Sequence, residues 1–166
     1  ETRKLYRIGR GEQGVLLVRP YTNDICRFWK FKTPKIAVKS AEQIYTMYAE
    51  YRAINDFVGM DMCRKFLEMG FTRARRYANH RDGNKYNKDG TIKPQESDAM
   101  TCHFAKSATI FREYRLLVAN DSLYKTMRKE WRRTEPEHMT NGKRYGPWKN
   151  KRLTFVNFSF RMDLYD

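Results

Sequence analysis

The sequence predicts an α+β domain, a small antiparallel sheet from the N-terminal strands packed by about five helices, with a basic extended C-terminal tail. Three observations predict it. Short apolar runs broken by glycine and proline fill residues 5–31, helical spacing of apolar residues takes over from Thr33 to Arg133, and beyond Thr134 the helical period is lost. This gives a single α+β domain over 1–133 and a basic, aromatic extension over 134–166.

The strands are read from Leu5–Ile8, Gly14–Arg19 and Ile25–Phe31. Gly9, Gly11 and Gly14 punctuate the first connection and Pro20 to Asp24 the second, both with turn chemistry. In the third run Cys26, Phe28 and Lys30 alternate with Arg27, Trp29 and Phe31, so one face is expected to be covered and the other used.

A helical period begins at Thr33-Pro34, with Ser40-Ala41-Glu42-Gln43 as an alternative start, and carries Ala37, Ala41, Ile44, Tyr48 and Tyr51 on one stripe up to Asn55-Asp56. A second helix is expected over Phe57–Met69, with Gly70 as its left-handed cap. Thr72 then caps a short third helix, Arg73–Asn79, that displays Arg73, Arg76 and His80 in one row. Residues 81–97 lack apolar side chains and are read as a mobile surface loop. A fourth helix follows from about Asp98 to Ala119, anchored by Phe104, Ala108, Phe111, Tyr114 or Arg115, and Val118. Asn120-Asp121 starts a fifth, with Leu123, Met127 and Trp131 as its apolar line and Lys125, Arg128, Lys129, Arg132 and Arg133 opposite, stopped by Pro136. The expected core brings together Ile44, Tyr48, Met62, Phe66, Phe104, Phe111, Met127 and Trp131.

Charge points to the partner class. The 166 residues hold 34 Lys+Arg against 19 Asp+Glu, a formal charge of +15, which opposes compaction unless a polyanion supplies counter-charge. A disordered basic tail would be poor in rings, whereas this chain has 11 Tyr, 10 Phe and 3 Trp. Cys26, Cys63 and Cys102 are odd in number and lack metal-ligand spacing, which favours an intracellular, reducing compartment, cytoplasmic or an organelle matrix. No run reaches the roughly 18 apolar residues of a membrane helix, and the chain opens on Glu1 without the apolar core of a secretory signal, which leaves organelle import open.

The stretches Arg7–Leu16, Trp29–Pro34 and Asp56–Tyr86 resemble a small family catalogued as a domain of unknown function, found in tailed bacteriophages, bacteria and some eukaryotes. A weaker likeness runs through Ile110–Tyr114 to Trp131-Arg132-Arg133, so the resemblance covers about 5–133. It implies no catalytic residue. The extension from Thr134 lies outside it.

The candidate binding residues fall in three stretches. Arg73, Arg75, Arg76, Tyr77, His80, Arg81, Lys85 and Tyr86 form the first, where guanidinium groups suit bidentate phosphate contacts and tyrosine suits base stacking; a solvated basic helix face is the plain alternative. Arg128, Lys129, Arg132 and Arg133 form the second, and Lys149, Lys151 and Arg152 the third, inside a 141–152 segment with five basic residues and no acid. Arg27, Trp29 and Phe31 could form the stacking face of a sheet-based RNA binder or could be core, with Phe28 read as core. Gly9–Gly14 is followed by no Gly-Lys-Ser/Thr and is not a P-loop.

The leading reading is a non-enzymatic nucleic-acid-binding protein, an RNA-binding structural component of a large ribonucleoprotein such as a ribosome, because the basic 141–152 segment suits threading against folded RNA. RNA is favoured over DNA, other proteins of the assembly are further partners, and no cofactor, metal or membrane is expected. Three alternatives stand beside it. One is a phage or bacterial DNA-binding protein, the second a metal-dependent nuclease or phosphate-transfer enzyme using His80 beside Asp82, and the third an interaction module for an acidic protein.

Overall fold

The structure, a computed structural model, describes residues 3, 6–9 and 14–135. Among these the chain is all-helical: a one-turn 3₁₀ helix at Val15–Leu17, then α1 (Tyr21–Cys26), α2 (Pro34–Ala53), α3 (Phe57–Asn79), α4 (His103–Asn120) and α5 (Ser122–Thr134). No described residue lies in a β-strand, and one isolated antiparallel bridge joins Tyr86 to Ile92. The expected α+β class is therefore overturned, and with it the picture of an RNA-binding, ribosomal α+β domain.

The correction falls on residues 14–31 and has a local cause. An apolar run of four to seven residues fits a strand or a buried helical turn equally well, and here period four prevails. Tyr21 and Ile25, one turn apart, are both buried, and Thr22 anchors the turn by donating its hydroxyl to the carbonyl oxygens of Val15 and Val18. Trp29 and Phe31 then cross the core as a connecting segment, their rings 5.2 Å apart and Trp29 6.3 Å from Phe66. Phe28 is half-buried beneath the Arg27 guanidinium. With both Trp29 and Phe31 packed inward, a stacking face for bases does not exist there.

Local chemistry starts each long helix. Thr33 accepts from the Ile36 amide with Pro34 in the first turn, Asp56 accepts from the Gly59 amide, and Asp121 accepts from the Leu123 amide. Asn55, at φ 54°, turns the chain between α2 and α3.

α3 is the axis of the fold. It is one helix of 23 residues, not two, and runs straight through Gly70 and Thr72. Gly70 serves packing instead of capping: a Cβ there would lie 2.3 Å from the Phe111 ring of α4. Antiparallel contacts place α2 and α4 along α3, with Tyr51 against Gly59, Arg115 bonded to Glu68, and Tyr77 stacked on Phe104. Ile44, Met62, Phe66 and Phe111 are fully buried and Tyr48 is nearly so, each large side chain contributing roughly 1.5–3 kcal/mol of transfer free energy. Phe104, Met127 and Trp131 are half-buried at the margin of that core.

Two further boundaries differ from expectation. The fourth helix begins at His103, after turns over 97–101. Residues 81–97, expected to be mobile, are tied down by main-chain bonds from Asn87 to Thr91, Lys93 to Lys85 and Glu96 to Asn79, and by a Lys93–Asp82 ion pair at 2.5 Å. The helices belong to one compact unit ending at Glu135, and the extension from Pro136 lies outside the described residues.

Candidate nucleic-acid interface

The candidate residues separate by what their side chains already hold. Arg75 donates to the Ala99 carbonyl at 3.0 Å and to the Asn79 side chain at 2.6 Å, which clamps the 80–102 connection onto α3. Arg81 forms two bonds to the Asp98 carboxylate, at 2.7 and 2.9 Å. Tyr77 stacks on Phe104 with centroids 5.4 Å apart and lies 5.9 Å from Phe31, so its ring belongs to the core. His80 is buried, its Nδ1 without a hydrogen-bond partner among the described residues. Arg73 is half-buried and Arg76 exposed. Lys85 sits 5.4 Å from the ring centroid of Tyr86, the one aromatic of this stretch that stands open to solvent. The stretch that looks most like a binding surface in the sequence is thus largely structural.

α5 presents the opposite case. Its inner face meets α3 through Tyr124 and Trp131, whose rings stack on Phe57 at 5.9 and 5.0 Å. Lys125, Lys129, Arg132 and Arg133 follow at spacings of four, three and one, all exposed, and none of them forms an ion pair among the described residues. That spacing puts them on one side of the helix. Arg132 and Arg133 also occupy the last turn, where the backbone carbonyls favour cations. Arg128 leaves the row: its guanidinium turns inward to the Tyr124 hydroxyl at 3.0 Å and Asp61 at 3.5 Å. Lys125 takes its place. Lys149, Lys151 and Arg152 lie outside the described residues.

A buried polar cluster fixes α5 in this orientation. Asp61 of α3, fully buried, accepts from the hydroxyls of Tyr6 and Tyr124 and from Arg64 Nε at 2.7 Å. Burial works against its charge, but Arg64 and these bonds outweigh burial and hold the carboxyl below its usual range. Burial, with the Asp61 charge beside them, raises the Tyr6 and Tyr124 phenols above theirs. Lys65 is also buried, its ammonium 5.2 Å from the Tyr6 ring centroid and brought down to about 8 by desolvation. Trp131 donates its indole N–H to the Tyr6 carbonyl at 3.1 Å, and the Ile8 amide donates to Glu135 at 2.9 Å, so the 6–8 segment straps α5 to α3.

Residues 1–134 match the family described as a domain of unknown function, DUF4385. The chain belongs to that family. The matched range takes in the Asp61 cluster and the whole of α5, so both are parts of the family domain. No curated protein and no solved structure matches the chain. No described helix is long and apolar enough to cross a membrane, and no described group of three or more His, Cys, Asp or Glu could hold a metal ion.

Proposed function

We propose that this domain is a non-enzymatic nucleic-acid-binding module that grips the phosphate backbone of duplex DNA through α5. The observation that carries the reading is the exposed row Lys125, Lys129, Arg132 and Arg133, which has no carboxylate partner among the described residues, while Arg75, Arg81 and Arg128 are already bonded to groups of the domain itself. A row of cations with no counter-charge among the described residues suits regularly spaced anions, and phosphodiester is the commonest of these. Backbone contact is favoured over base stacking because Tyr124 and Trp131, the rings of α5 itself, are packed on Phe57. Contacts of this kind position a protein on a duplex without reading its sequence.

The experiment is anisotropy of a labelled DNA duplex titrated with the full chain over a range of salt. Four phosphate contacts predict a log–log slope of roughly −3 to −4 from this face. Reversal of Lys125, Lys129, Arg132 and Arg133 to Glu is expected to weaken binding by more than about tenfold at low salt, with the circular dichroism spectrum unchanged. Binding that is flat with salt, or indifferent to the four reversals, overturns the reading.

A further inference from the structure

A second group of exposed cations lies towards the other end of α3, on segments far apart in sequence. Phe31, Tyr77 and Phe104 form a ring trio with centroids 5.4 to 6.4 Å apart, which brings together the segment before α2, the last turn of α3 and the first turn of α4. Each of these carries an exposed cation close in sequence to its ring: Lys30 and Lys35 on either side of Phe31, Arg76 beside Tyr77, and Lys106 two residues after Phe104. None of the four is in an ion pair among the described residues. Of the carboxylates of the adjoining connection, Asp82 is paired with Lys93 and Asp98 with the Arg81 guanidinium, while Glu96 and Asp89 bond only the neutral Arg81 amide and Thr91 hydroxyl and keep their charge. Four cations without an ion pair among the described residues thus stand against two such carboxylates, which leaves positive charge in excess.

α5 packs on Phe57 at the start of α3, and the trio sits on Tyr77 near its finish. At 1.5 Å of rise per residue these two points are about 30 Å apart. Exposed charges are screened beyond about 8–10 Å at physiological salt, so the two surfaces act as separate anion-binding faces rather than as one field. We infer that the domain engages two nucleic-acid segments at once and bridges DNA duplexes, one at α5 and one at the Lys30–Lys35–Arg76–Lys106 end. This rests on the α5 reading for the first contact and adds the second.

The test uses the full chain with two short duplexes of about 20 bp, stiff enough not to fold back around the protein. One is biotinylated and bead-bound, and the other is fluorescent. Wild-type protein is expected to co-recover the fluorescent duplex on the beads. The combined Lys30→Glu, Lys35→Glu, Arg76→Glu and Lys106→Glu variant is expected to lose co-recovery by at least about tenfold while the amount of bead-bound protein stays within about twofold. Should that variant lose its helical spectrum, the same four positions changed to Gln are read in the same way. Wild-type protein that binds the beads yet recovers no second duplex overturns bridging alone. Co-recovery that survives the four substitutions also overturns it, since bridging would then arise from self-association. Failure of the wild type to bind the beads at all removes the α5 reading and bridging together.

Discussion

The Tyr124 hydroxyl of α5 donates to Oδ1 of Asp61 on α3 at 2.5 Å, across 63 positions of sequence, inside the core. This bond, with the Tyr6 hydroxyl on the other carboxylate oxygen, holds the N-terminal segment and the basic helix on one buried charge. Asp61→Asn removes that charge and leaves the largely buried Arg64 guanidinium without its counter-charge. A loss of about 3–5 kcal/mol is expected, as for one member of any buried ion pair, and urea denaturation measures it. A loss under about 1 kcal/mol would show that the cluster is not what fixes α5.

Lys65 links stability to alkaline pH. Its ammonium is brought down to about 8 in the folded domain, against about 10.4 in an unfolded chain, so between these values the unfolded chain binds the extra proton and this group's contribution to stability rises with pH. Half-buried Cys26, buried Cys63 and the tyrosines at Tyr6, Tyr48 and Tyr124 are raised and act in the opposite sense, their contributions being lost as pH climbs past the unfolded values. The difference between wild type and Lys65→Met isolates the lysine. The advantage of Lys65→Met over wild type is expected to shrink between pH 8 and 10 by as much as about 1.4 kcal/mol per unit, read from denaturation at each pH. A pH-independent difference would contradict it.

Gly70→Ala sets helix propensity against packing. Alanine favours a helix interior by about 1 kcal/mol, yet the new methyl would sit 2.3 Å from a Phe111 ring that is fully buried and has nowhere to turn. Overpacking of that kind costs roughly 1–3 kcal/mol, so a lower Tm is expected. Gly59→Ala meets Tyr51 at the same 2.3 Å, but that ring is only half-buried and is able to swing, so a smaller loss is expected. A higher Tm for Gly70→Ala would mean that α3 and α4 are not packed this closely.

His80→Ala separates binding from catalysis. The imidazole is 5 % exposed, beneath the turn it forms with Gly83. The substitution is expected to lower stability and to leave duplex affinity within about twofold of wild type, since no phosphate contact is removed. A Mg²⁺- or Mn²⁺-dependent cleavage by wild-type protein that His80→Ala abolishes while binding persists would overturn the non-enzymatic reading.

What the sequence alone determined is whatever depends on near neighbours. The starts of α2 and α5 were legible in Thr33-Pro34 and Asp121 because a cap is a bond across two or three residues, whereas Asp56, read only as the end of α2, caps α3. The burial of Ile44, Tyr48, Met62, Phe66 and Phe111 was legible because a period sustained over many turns has one helical reading. The tertiary structure decided the rest. Residues 14–31 form helix and turns where strands were expected, because four to seven apolar residues carry too few periods to choose and the long helices around them supply the choice. Gly70 looks like a stop in one dimension and is a contact in three. Arg81 finds its carboxylate 17 residues away and Arg128 finds Asp61 at 67, so no local pattern distinguishes these bound guanidiniums from the open ones of Arg132 and Arg133. Total charge is a sum over the chain and needs no fold, but which of those charges face water depends on partners that only folding brings within reach.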